Sequence, residues 1–88
     1  MKFGAHMLPT YMPEVDGLLP DFYRGMFDQM VELEKLGFDQ AWVTEHHFSG
    51  YGSVGVPSVY AAGVAQRTRR IRIGYGVAVV PLHHPLRL

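Results

Sequence analysis

Between Phe22 and Thr44 an amphipathic run, a glycine and an apolar run follow one another almost without a spacer, and this junction restricts the chain more than any other feature. Phe22, Met26, Met30, Leu33 and Leu36 recur at spacings of four, four, three and three residues, which is the stripe of one helix face. Asp21, Arg24, Asp28, Glu32 and Lys35 lie between them. Gly37 follows directly, suited to the left-handed position that ends a helix without a Cβ penalty. Ala41-Trp42-Val43 is then apolar at consecutive positions, which suits a strand covered on both faces, as in a parallel sheet. The junction predicts a helix over 20–36 joined by a tight turn to a strand over 38–44.

The flanking segments repeat this rhythm. Lys2 to Leu8, closed by Pro9, reads as a first strand over 2–8. Pro9 to Pro20 holds three prolines, a glycine and two acids, and reads as a loop of a length that is often functional. After the second strand, Ser49 to Pro57 carries Gly50, Gly52 and Gly55, and Pro57 suits a first helical turn. A second helix is predicted over 57–67, where Ala61, Ala62, Gly63 and Ala65 permit close approach to a sheet. Thr68-Arg69-Arg70 makes a charged turn before a third strand over 71–80. Within it, Gly74 and Gly76 mark a bulge or a place where a ligand nears the backbone. Pro81 to Pro85 ends the strand, and Leu86-Arg87-Leu88 starts a further helix.

Strand, helix, strand, helix, strand, with short links before each strand and longer ones after, is the order of right-handed βαβ units. Ligands of such folds sit at the carboxyl ends of the strands. The polar clusters of this chain fall there: the Pro9–Pro20 loop, Glu45-His46-His47 and His83-His84. That coincidence points to an active site.

Composition removes several alternatives. A chain of 88 residues with 48% hydrophobic and 18% charged residues has a globular balance and makes at most one small domain. Eight basic residues against eight acidic ones leave no net charge for nucleic acid or an anionic membrane surface. With no cysteine, disulfides and thiolate metal sites are excluded. No signal-peptide core interrupts the start and no run approaches a membrane span, so a cytoplasmic protein is expected.

Neighbouring residues of a strand point to opposite faces, so His46 and His47 reach one site together only if the chain bends there. The plainer reading of the pair is one packed imidazole and one solvated. Glu45, His46 and His83 are conceivable metal ligands, but no compact ligand spacing such as H-E-x-x-H is present, and no metal is assigned. No G-x-G-x-x-G follows Gly74 and Gly76, which disfavours a Rossmann site.

Met1-Lys2-Phe3-Gly4, Gly37-Phe38-Asp39, Trp42-Val43-Thr44-Glu45-His46-His47-Phe48, Ile73-Gly74-Tyr75-Gly76-Val77, Pro81 and His84-Pro85 occur in this order along essentially the whole chain. In these segments the chain resembles the N-terminal portion of the bacterial luciferase-like, flavin-dependent monooxygenases. The resemblance implies part of a (β/α)8 TIM barrel, an α/β fold that typically needs about 250 residues. It further implies reduced FMN supplied by a separate flavin reductase, O2 as co-substrate, and oxygenation of a small organic substrate through a C4a-peroxyflavin. A homo- or hetero-dimer is implied for the full-length protein.

Carried over residue by residue, His46 matches the family's active-site histidine and His47 its neighbour, both expected to be catalytic. Glu45, Gly76 and Val77 are expected at the cofactor, with Gly76–Val77 at the place of a non-prolyl cis peptide where luciferase has two alanines. Imidazole changes charge near neutrality and can move the protons such chemistry needs, while Trp42, Phe48, Met7 and Tyr75 offer apolar walls that exclude water. Three strands cannot close a barrel, so the sheet is expected to keep free edges and an open inner face. The chain is therefore read as a fragment whose function belongs to a parent monooxygenase. The alternatives are a deazaflavin-dependent hydride-transfer enzyme of the same superfamily and an inert piece that acts only by association.

Overall fold

The computed structural model describes all 88 residues. Three parallel strands, β1 (Gly4–Met7), β2 (Gln40–Val43) and β3 (Arg72–Tyr75), lie side by side in chain order. Between β1 and β2 the chain forms α1 (Pro13–Asp16) and α2 (Leu19–Lys35), and between β2 and β3 it forms α3 (Pro57–Ala65). Two short 3-10 turns, Val80–Leu82 and Pro85–Arg87, follow β3.

The helix-to-strand junction forms as its residues dictate. Gly37 takes a φ of +89°, the Phe38 N–H reaches the Leu33 carbonyl at 3.0 Å and the Gly37 N–H reaches that of Glu34 at 3.1 Å, which satisfies the last helical carbonyls in a Schellman arrangement. Met26 and Met30 of the α2 stripe are buried, and Phe22 and Leu33 pack beside them. Leu36 is exposed instead of buried, because it lies past the last helical turn, where the chain swings toward Gly37. Glu34 points the other way and accepts the N–H groups of Arg69, Arg70 and Ile71, tying the end of α2 to the turn before β3. Those backbone donors, Ile71 first, hold its carboxyl below the usual carboxylate value.

Both major helices cover one side of the sheet. Met26, Met30, Tyr60 and Val64 meet Ala41, Val43, Val54 and Ile71 in one buried cluster. Phe27 stacks on Tyr60 with ring centroids 4.9 Å apart, and a Cβ at Gly63 would stand 2.6 Å from the Phe27 ring, so the glycine is what admits it. The expectation of a second strand covered on both faces is thus met on one face only. Ala41 and Val43 are 0% exposed against the helices, whereas Trp42 between them is 40% exposed on the other face. In register across the sheet, that open inner face carries the rows Gly4–Gln40–Arg72 and His6–Trp42–Gly74.

β1 and β2 are shorter than the strands expected over 2–8 and 38–44, α2 spans 19–35 rather than 20–36, and three further segments differ from the sequence reading. The third strand spans 72–75 rather than 71–80: Val43 is the last residue of β2 and accepts the Gly76 N–H at 2.9 Å, after which no partner strand remains and the Gly76–Val77 peptide is cis. The Pro9–Pro20 loop contains α1, started by Pro13 and closed by the Asp16 carboxylate on the Met12 N–H at 2.7 Å. The helix of 57–67 ends at Ala65, where Thr68 turns its hydroxyl onto the Val64 carbonyl at 2.9 Å.

Candidate active site

At the carboxyl ends of the strands two of the three polar clusters, those after β2 and β3, meet through one buried carboxylate. Regular strand geometry stops at Val43, Thr44 to His47 run without regular structure, and the bend comes only at Phe48 to Gly50, so the two imidazoles are not brought to one site. The Glu45 side chain is 0% exposed. Its Oε1 accepts from His47 Nε2 at 2.8 Å and from His83 Nε2 at 2.9 Å, and its Oε2 accepts from the Val79 N–H at 2.7 Å, with His83 also 2.9 Å away. An ionised carboxylate only accepts, so both imidazoles present Nε2–H to it. Burial pushes the Glu45 carboxyl up, but the His83, Val79 and His47 donors outweigh burial and hold it at about 2.

His46 points elsewhere. Its N–H bonds the Val54 carbonyl at 3.0 Å, closing the excursion through Phe48, a non-glycine residue at φ +57°. The His46 ring sits edge-on to Tyr51, centroids 5.4 Å apart, directly over Gly52. A Cβ at Gly52 would lie 2.3 Å from His46 Cδ2, and Gly52 has φ +67°. Glycine is therefore needed there on two counts, backbone and space. Gly52→Ala is expected to cost about 1–2 kcal/mol of stability and to displace the His46 imidazole. Histidine side-chain NMR shifts together with an unfolding titration check both effects, and an unmoved His46 resonance would sink the seat assigned to Gly52.

Ser53 ties this loop to its neighbours. Its N–H bonds the Pro9 carbonyl at 2.5 Å, its Oγ accepts the Tyr11 N–H at 3.0 Å, and its carbonyl accepts the Tyr23 hydroxyl at 2.5 Å. The loops after β1 and β2 and the first turns of α2 are thereby joined beside His46.

The structure thus brings Glu45, His47 and His83 together and leaves His46 outside that group. The conceivable metal set of Glu45, His46 and His83 is not assembled, since His46 faces Gly52 and both bonded Nε2 atoms are turned to the carboxylate. No group of three His, Cys, Asp or Glu side chains is spaced to hold an ion. Glu45 does not stand at the surface, and its oxygens are occupied by three donors. His84 is exposed and accepts the Leu86 N–H at Nδ1, 3.2 Å.

Gly76 and Val77 bring their cis peptide to the inner face, and His6 Nε2 lies 3.2 Å from the Gly76 carbonyl oxygen. His6 is a residue that the sequence reading did not single out. Its signal was positional: an alternate residue of β1 that parallel pairing sets in one row with Trp42 and Gly74. Trp42 is partly exposed on the inner face and Phe48 fully exposed, so both are free to wall a site, whereas Met7 and Tyr75, expected there too, lie in the Val43 row on the helix side.

A parallel βαβαβ sheet with helices on one side, an open inner face and imidazoles, a carboxylate and a cis peptide at its carboxyl ends defines the class: an α/β chain with the architecture of part of a (β/α) barrel. The family described as luciferase-like monooxygenase matches residues 1–88, and the chain belongs to that family. It is 39% identical over 87 residues to the 4-hydroxyprotoasukamycin monooxygenase of Streptomyces nodosus subsp. asukaensis, covering 97% of this chain and 22% of that protein. It is 35% identical over 91 residues to the alkanal monooxygenase alpha chain of the Kryptophanaron alfredi symbiont, covering 99% and 24%. The crystal structure of a monooxygenase from Streptomyces bottropensis superposes with a TM-score of 0.88 at 31% identity, over 99% of this chain and 26% of that one. The oxygenating constituent of 3,6-diketocamphane monooxygenase from Pseudomonas putida, a type II Baeyer-Villiger monooxygenase in complex with FMN, shares the fold with a TM-score of 0.83 at 20% identity, over 99% and 23%. The chain spans about a fifth to a quarter of the length of the curated relatives it matches. No helix is long and apolar enough to cross a membrane.

Proposed function

We propose that the protein carrying this chain is a flavin-dependent monooxygenase that uses reduced FMN and O2 to oxygenate a small organic substrate, and that this chain supplies one wall of the site. The observation that carries the reading is the Glu45 carboxylate, which joins the segment after β2 to the segment after β3 within 2.7–2.9 Å, directly beyond the Gly76–Val77 peptide. The residues present suit a planar ring. Gly76 has no side chain to hold a ring off its backbone, and Val77 is exposed and apolar. The FMN bound to the structurally similar Pseudomonas putida protein supports flavin as the group concerned.

Reduced FMN, when bound, supplies the two electrons with which O2 yields one oxygen atom to the substrate and one to water. The chain's own residues do the rest. Gly76 and Val77 would hold the ring by backbone and apolar contact. His46, half-buried over Gly52, takes and returns protons at its ring nitrogens. His47 does so from beside it, with Nε2 fixed on Glu45. Glu45, expected at the cofactor, serves instead as a positioning residue, holding His47, His83 and Val79. Trp42 on the inner face and Phe48 exclude water that would otherwise divert reduced oxygen to hydrogen peroxide, whereas Met7 and Tyr75 share the Val43 row on the helix-covered face and take no part. A flavin reductase would deliver the reduced cofactor, and the full-length protein would assemble as a homo- or hetero-dimer.

Spectral titration of the full-length protein with FMN and with a deazaflavin, followed by reduction and exposure to 18O2, tests the reading. FMN is expected to bind and one labelled atom to enter the product. Binding of the deazaflavin alone would replace oxygenation by hydride transfer, and binding of neither would leave only association.

A further inference from the structure

We propose that Ser53 is the positioning residue of His46, and that the proline-rich segment after β1, which has no other part in the reaction, acts on the site through it. The inference rests on the reading of His46 as a group that moves protons. His46 is seated on the two residues that flank Ser53. Its N–H is held by the Val54 carbonyl at 3.0 Å, and its ring lies on Gly52, where a Cβ would stand 2.3 Å from Cδ2 and 2.6 Å from Cγ. Gly52 and Val54 are both buried, so the seat belongs to the packed structure rather than to a free loop tip.

Ser53 is where this seat is fastened. Apart from Gly50, whose carbonyl accepts the Tyr11 N–H at 3.3 Å, it makes every hydrogen bond that ties residues 48–55 to the segment after β1 or to a helix. Its N–H donates to the Pro9 carbonyl at 2.5 Å, and its Oγ accepts the Tyr11 N–H at 3.0 Å. Its carbonyl accepts the Tyr23 hydroxyl of α2 at 2.5 Å. The Oγ–H turns back to the Gly50 carbonyl at 3.3 Å, closing the turn that carries Gly52 and the Tyr51 ring against His46. Tyr11 is itself held, its hydroxyl on the Gly17 carbonyl at 2.6 Å and its ring 5.2 Å from that of Phe22. All of these bonds join residues of this chain, so they do not depend on the elements that complete a barrel. Gly52 gives the imidazole room, and Ser53 fixes where that room is. Placement of this kind matters out of proportion to the bonds that provide it, since a displacement of about 1 Å costs a reaction up to about a hundredfold.

Two variants of the full-length protein test the assignment from opposite sides. Ser53→Ala removes the Oγ bonds and leaves the backbone ones, and Tyr23→Phe removes the hydroxyl on the Ser53 carbonyl without altering the loop. In protein labelled at histidine and glycine, the wild type is expected to show a strong nuclear Overhauser contact between His46 Hδ2 and Gly52 Hα. Both variants should lose it, while the His47 ring, fixed on Glu45, keeps its signals. The second measurement is the rate of hydrogen peroxide release from reduced FMN and O2 with no organic substrate added. Both variants should shift that rate severalfold, in the direction in which His46→Ala shifts it, with FMN affinity unchanged. In the His46→Ala background neither should shift it further, because Ser53 acts only through that ring. A His46–Gly52 contact kept in both variants overturns the proposal. A rate change that persists without His46 also overturns it, by making Ser53 a structural residue only. A protein that binds no FMN would instead refute the flavin reading, and the nuclear Overhauser contact would still decide the seat.

Discussion

Replacing His46 by alanine in the full-length protein is expected to lower oxygenated product by about a hundredfold or more, the usual contribution of a placed proton-transfer group, while FMN binding persists and hydrogen peroxide accumulates. The ring does not belong to the carboxylate-centred group; it is held only by Tyr51, Gly52 and its own backbone bond to Val54. Its removal therefore leaves the Glu45 network standing, and the loss reports on protons rather than on folding. Product and peroxide measured in the same turnover decide the matter: unchanged product yield, or a loss of flavin binding equal to the loss of activity, would remove His46 from the proton-moving role.

The second large effect belongs to Glu45. Glu45→Gln keeps the volume but offers one acceptor oxygen where three donors converge, and turns an amide N–H2 toward N–H groups that have nowhere else to go. A loss of about 2–3 kcal/mol in unfolding free energy at neutral pH is expected for a buried group left in that state. The pH dependence carries a sign. The folded carboxyl is held at about 2 against an ordinary value of 4.5, so its contribution is fully present above 4.5 and is lost as pH falls toward 2. Wild type and variant should differ most at neutral pH and converge in acid. Denaturant titrations at several pH values check this, and a gap of the same size at neutral pH and near pH 3 would contradict it.

Local structure was legible wherever one short segment decided it. The stripe containing Met26 and Met30, the stop at Gly37 and the helix opened by Pro57 all rest on periodicity and backbone preference within a few residues. Overreach came where a segment needed a partner. Ile71 to Val80 has strand composition throughout, yet a strand persists only as far as its neighbour offers hydrogen bonds, and β2 stops at Val43. Ala41-Trp42-Val43 has the composition of a strand covered twice, and this chain provides cover for one side. The site divided in the same way. Clusters at the strand ends were visible in the order of elements, whereas His83 meets Glu45 across 38 positions and no spacing rule predicts that pairing.

What the sequence determined by itself was therefore the parallel βαβαβ order, the junction at Gly37, and the gathering of Glu45, His46, His47 and His83 at one edge, because each follows from local preference and the handedness of strand crossovers. Only the tertiary structure decided where each imidazole sits. It turned His47 and His83 onto one buried carboxylate, set His46 apart over Gly52, and brought His6 from the first strand to the Gly76 carbonyl. The physical reason is that a hydrogen bond needs an angle and a distance of about 3 Å, and strand register, not residue spacing, sets these between segments far apart in the chain.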